Sequence, residues 1–163
     1  MKNWIELTEK DYDQIWDKVY SELEFTPSMA TFPSFKVPSP FITYDISHYF
    51  GESVDLSVYA DLEEKALQAF KENTELDEYI SALDWQHECY SVNPHLEFER
   101  NEFDEWIIPV FPNGDYYFFI QKDFKWGYLG HPWEKSITIF GKELIESFEQ
   151  NKPEMFQNIL RQG

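Results

Sequence analysis

The chain has 163 residues, of which 42% are hydrophobic and 19% aromatic, enough for one domain with a substantial core and too apolar for global disorder. Lys plus Arg total 13 against 31 Asp plus Glu, and the net charge of -18 repels phosphate backbones and anionic lipid, which disfavours nucleic-acid and membrane-surface binding. The single cysteine, Cys89, rules out an intramolecular disulfide, and the first residues lack the apolar core of a signal peptide, so a soluble cytoplasmic protein is expected.

Thr8 is suited to cap a helix from about Glu9 to Glu24, with Tyr12, Ile15, Trp16, Val19 and Leu23 on one apolar face. Pro27, Pro33, Pro38 and Pro40 make the following segment an extended loop, pinned to the body by Phe25, Phe32 and Phe35. Phe41 to Ile46 alternates as a half-buried strand. Tyr59, Leu62, Ala66 and Phe70 predict a second helix over Ser53 to Lys71. Tyr79 to Tyr90 then reads as one strand, with Leu83, Trp85, His87 and Cys89 on one face and Asp84, Gln86 and Glu88 on the other.

The stretch from Trp106 to Gly141 is organised as strand, turn and strand at hairpin spacing, with Asn113-Gly114 the strongest turn signal. Tyr116 to Ile120 is apolar on both faces, which predicts a central strand covered on both sides. Short strands follow at Trp126 to Leu129 and Ile137 to Phe140, then a helix after Gly141 and a last helix opened by Pro153, with Met155, Phe156, Ile159 and Leu160 as its apolar residues. The pattern predicts a single α+β domain over residues 1–163. It has a mostly antiparallel sheet of five to six strands, with N-terminal, middle and C-terminal helices packed on it.

Two motifs gather residues that carry chemistry: Asp84-Trp85-Gln86-His87 and Gly130-His131-Pro132-Trp133-Glu134, with Asp115 just after the Asn-Gly turn. Asp84, His87 and His131 are the catalytic candidates, since an acid and an imidazole form an acid–base pair when strands bring them together. Gln86, Asp115, Trp133 and Glu134 complete a candidate small-molecule pocket. No paired metal-ligand spacing supports a metal set drawn from His87, Cys89, His95 and His131, and no glycine-rich phosphate loop is present, so no metal or cofactor is expected. Glu97, Glu99, Glu102, Asp104 and Glu105 form an acidic run suited to a basic, toxin-like protein partner.

These motifs carry a resemblance. Asp84-Trp85-Gln86-His87 with Cys89-Tyr90, Pro112-Asn113-Gly114-Asp115-Tyr116-Tyr117, Gly130-His131-Pro132-Trp133-Glu134 and Phe140-Gly141 resemble the bacterial family known as domain of unknown function 2716 (DUF2716). The helix around Trp16, Phe25-x-Pro27-Ser28 and Thr43-Tyr44-Asp45-Ile46 fit the same pattern. That family has no established activity. Its members often carry Cys where this chain has Thr138, so a cysteine there is not implied to do chemistry. Residues 106–148 also resemble, at the level of pattern, immunity proteins of the SMI1/KNR4-like superfamily, which neutralise toxins by binding. The first functional expectation is therefore a non-enzymatic inhibitor of a basic partner. The second is an enzyme or ligand-binding protein built on Asp84, His87, Asp115 and His131.

Overall fold

The computed structural model describes residues 3–51 and 53–163. Among the described residues, eight strands and three α-helices follow in chain order: β1 (Ile5–Glu6), α1 (Glu9–Glu22), β2 (Phe41–Asp45), α2 (Ser57–Glu72), β3 (Ile80–Asp84), β4 (Tyr90–Val92), β5 (Tyr117–Ile120), β6 (Gly127–His131), β7 (Ser136–Phe140), α3 (Lys142–Gln150) and β8 (Asn158–Gln162). The strands form one sheet in the order β1-β4-β3-β5-β6-β7-β2-β8, and every neighbouring pair is antiparallel. The protein is thus α+β, with eight strands rather than five to six.

Both faces of the sheet are covered. Leu62, Ala66 and Phe70 of α2, with Leu144 and Phe148 of α3, pack on Tyr44, Phe119 and Tyr128. Trp16 and Val19 of α1, with Phe25 and Phe35 of the proline-rich segment, pack on Tyr116, Phe118 and Leu129. The double cover explains why β5 is apolar on both sides: Phe118, Phe119 and Ile120 are all fully buried. Each such side chain contributes roughly 1.5–3 kcal/mol by leaving water.

Local chemistry sets the helix limits. The Thr8 hydroxyl accepts the Asp11 amide at 3.2 Å and caps α1. The helix stops at Glu22, two residues earlier than expected, because the chain turns at Glu24 with φ 47°. The α2 helix begins at Ser57, where the Asp55 carboxylate accepts the Ser57 amide at 2.9 Å.

Three expectations fail, each for a non-local reason. The strand expected over 79–90 is a hairpin: β3 ends at Asp84, Gln86 takes φ 68°, and β4 returns from Tyr90. Leu83, Trp85, His87 and Cys89 therefore do not share a strand face. Residues 106–111 form no strand; Trp106 makes one isolated bridge to Arg100, while Trp106, Ile108 and Val110 are buried under the helix side of the sheet. The helix expected after Pro153 is replaced by β8 at the sheet edge, where Met155 and Phe156 are buried but Ile159 and Leu160 stay exposed. Pairing with β2 satisfies backbone groups of β8 that a helix would satisfy internally.

Candidate functional site

The hairpin turn after β3 assembles three of the candidate residues. Its tight geometry puts the His87 amide 3.1 Å from the Asp84 carbonyl. His87 Nδ1 then stands 3.1 Å from Asp84 Oδ1. Antiparallel pairing sets Tyr117 opposite Asp84, so Asp115, two residues earlier, lies beside the turn. Its Oδ2 is 2.9 Å from the same His87 Nδ1. The Asp115 Oδ1 accepts the Tyr116 amide at 2.8 Å, which orients the carboxylate. The direct Asp84–His87 contact, impossible on one strand, exists because the strand ends between them.

The electrostatics of this group are dominated by the two carboxylates. Burial, and then the neighbouring Asp115, push Asp84 up to about 7. Asp84 in turn raises His87, whose side chain is 60% exposed. The exposed side chain of Gln86 stands at the tip of the turn. An open cavity of ≈ 440 Å³ adjoins the turn and is lined by Tyr12, Gln86, His87, Glu88 and Cys89 among others. Cys89 itself points inward: burial raises its thiol to about 11, and its sulfur accepts the Asp84 amide.

His131 is elsewhere. It ends β6, and β5 separates it from β3. It is fully buried among Phe32, Phe35, Tyr116 and Trp133. Its Nδ1 accepts the Glu134 amide at 3.2 Å, so the ring proton sits on Nε2 and is donated to Ser34 Oγ at 2.7 Å. The Ser34 hydroxyl lies 2.8 Å from the Tyr116 hydroxyl, which donates to the Ser28 carbonyl. Burial lowers His131 to about 4, so it is neutral near neutral pH. Both ring nitrogens are occupied, and this histidine has no free lone pair with which to take a proton from Ser34 or from a ligand. Its place is to tie the proline-rich segment to the sheet.

Glu134 is equally committed. Burial alone would raise its carboxyl, but the Arg161 guanidinium and the Ser136 hydroxyl outweigh that and hold it below the usual range. Arg161 grips it with two bonds, 2.9 and 2.6 Å. His95 bonds Thr74 through Nε2, so the set His87, Cys89, His95 and His131 does not converge. Among the described residues, Asp84, His87 and Asp115 are the group able to present three ligand atoms to one ion.

Asp104 and Glu105, the end of the acidic run, line a second, larger cavity. Glu97, Glu99, Glu102 and Asp104 are exposed and Glu105 is half-buried. This cavity, of ≈ 700 Å³, is walled by Phe50, Tyr59, Phe103 and Phe111 and edged by Glu63, Asp104 and Glu105. Arg100 spans its rim, 2.8 Å from Glu63 and 3.8 Å from Asp104. Of these, Phe50, Tyr59, Glu63 and Phe111 carry no motif in the sequence. Only Phe103, an aromatic inside an acidic run and 72% exposed, signals the cavity in the linear pattern.

Fold and site together define an α+β protein with a doubly covered eight-stranded antiparallel sheet, an Asp–His–Asp cluster at one hairpin and an acidic, aromatic-walled cavity. A family profile described as "Protein of unknown function (DUF2716)" matches residues 6–145, and the chain belongs to that family. It is 41% identical over 162 residues to "Uncharacterized protein YxiI" of Bacillus subtilis (strain 168), a match covering 97% of this chain and 99% of that protein. No solved structure matches the chain. Among the described residues, no helix is long and apolar enough to cross a membrane.

Proposed function

We propose that this protein is a non-enzymatic binding protein that captures a basic protein partner on the face formed by residues 97–105, in the manner of an immunity or antitoxin inhibitor. The observation that carries this reading is the run of exposed carboxylates at Glu97, Glu99, Glu102 and Asp104, which ends at an aromatic-walled cavity lined by Asp104 and Glu105. Exposed acids steer a basic partner toward this face. Phe50, Tyr59, Phe103 and Phe111 line that cavity, and aromatic rings attract the cation of a Lys or Arg side chain.

The enzyme reading built on Asp84, His87, Asp115 and His131 is weakened by His131, which is buried, neutral and occupied at both nitrogens.

Affinity capture from native cell extract tests the proposal. Wild-type protein is compared with a variant carrying Glu97, Glu99, Glu102, Asp104 and Glu105 changed to Lys. One basic protein retained by wild type, lost from the variant and released by salt is the expected result. Equal capture by both forms would overturn it.

A further inference from the structure

We infer that Asp84, His87 and Asp115 form a binding site for a divalent first-row transition ion of the Mn²⁺ type. The donor set is mixed: a carboxylate from the end of β3, a carboxylate two residues before β5 and an imidazole nitrogen from the turn between β3 and β4. Oxygen donors suit Mn²⁺, Mg²⁺ and Ca²⁺, and an added imidazole shifts the preference toward transition ions.

The three ligand atoms are close enough to share one ion, all lying within 4.8 Å of one another. His87 Nδ1 carries at most one hydrogen, yet it faces three oxygens: Asp115 Oδ2 at 2.9 Å, Asp84 Oδ1 at 3.1 Å and the Trp85 carbonyl at 3.1 Å. A single N–H is shared among these acceptors, whereas an ion would bind both carboxylates and the ring nitrogen at once. A metal with bonds of about 2.1–2.2 Å at right angles holds neighbouring donors about 3.0 Å apart, whereas a tetrahedral ion holds them about 3.4 Å apart. The separations from His87 Nδ1 to the two carboxylates, 2.9 and 3.1 Å, fit the six-coordinate spacing.

The surroundings agree. Neither Asp84 nor Asp115 has a Lys or Arg partner among the described residues; the paired carboxylates elsewhere belong to Glu22, Asp61, Glu63, Asp104 and Glu134. The Tyr116 amide fixes Asp115 in orientation, as a partner behind a ligand should. The His87 side chain is 60% exposed, so solvent reaches the cluster from the imidazole side.

The test is titration of chelator-treated, full-length protein with Mn²⁺, read by calorimetry and by paramagnetic broadening of the histidine ring protons. One ion per chain is expected, with His87 broadened ahead of His48, His95 and His131. Asp115→Asn and His87→Ala each weaken binding at least tenfold, while Glu143→Gln with Glu146→Gln, exposed acids away from both sites, leaves it unchanged. His87 is exposed, so its removal does not endanger folding, and circular dichroism checks each variant. Absence of saturable binding, or affinity unaltered by Asp115→Asn and His87→Ala, would overturn the inference; in the latter case Mn²⁺ is merely condensing on the acidic surface.

Discussion

His131 Nε2 donates to Ser34 Oγ at 2.7 Å, joining residues 97 positions apart in the chain. The bond fixes the proline-rich segment over the end of the sheet, and the Tyr116 hydroxyl extends it to the Ser28 backbone. It also fixes the ring's protonation state, because the Glu134 amide occupies the other nitrogen.

A pH dependence of stability follows. His131 is held near 4 in the folded chain against 6.5 when unfolded. A depressed histidine contributes stability that is complete above its unfolded value and is lost as pH falls from 6.5 toward 4, because the unfolded chain takes up a proton that the folded one refuses. The full loss is roughly 3 kcal/mol. Denaturant melts of wild type and His131→Gln across this range should converge at low pH; parallel curves would show that His131 does not titrate this way.

The Glu134–Arg161 pair couples the turn after β6 to the last strand. The Glu134 side chain is 6% exposed, so Arg161→Met strands a carboxylate that is nearly out of water. Because Arg161 itself is 30% exposed, the expected cost is moderate, about 1–3 kcal/mol. Amide exchange in β8 should accelerate, and Glu134→Gln added to Arg161→Met should recover part of the loss. Unchanged β8 protection in the single variant would mean that the strand is held by its pairing with β2 alone.

Cys89 should be nearly inert in the native protein. Its thiol is buried and raised to about 11, and only the thiolate reacts with disulfide reagents. Labelling near neutral pH should be slow when folded and prompt in denaturant. Rapid stoichiometric labelling of the native chain would show that the turn at 85–89 opens freely.

Short-range patterns identified much of the fold. Thr8 followed by an apolar stripe at helical spacing defines α1, and the continuous apolar run Tyr116 to Ile120 requires a strand with both faces covered. The Asp84-Trp85-Gln86-His87 motif was visible as a cluster of reactive residues, but its geometry was not. Alternation runs on through Trp85, His87 and Cys89, and no Gly or Pro marks the turn that Gln86 makes at φ 68°.

What the sequence by itself determined is what lies within one or two turns of chain: periodicity, capping, and the -18 charge with its acidic run at 97–105. Tertiary structure alone decided which of the polar residues meet. Asp115 reaches His87 because β5 pairs with β3 in one register, and His131 is sealed because Ser34 is folded over it. The edge strands β1 and β8 exist only through partners distant in sequence. Such contacts depend on backbone pairing and packing across many residues, and no local pattern of residue types encodes them.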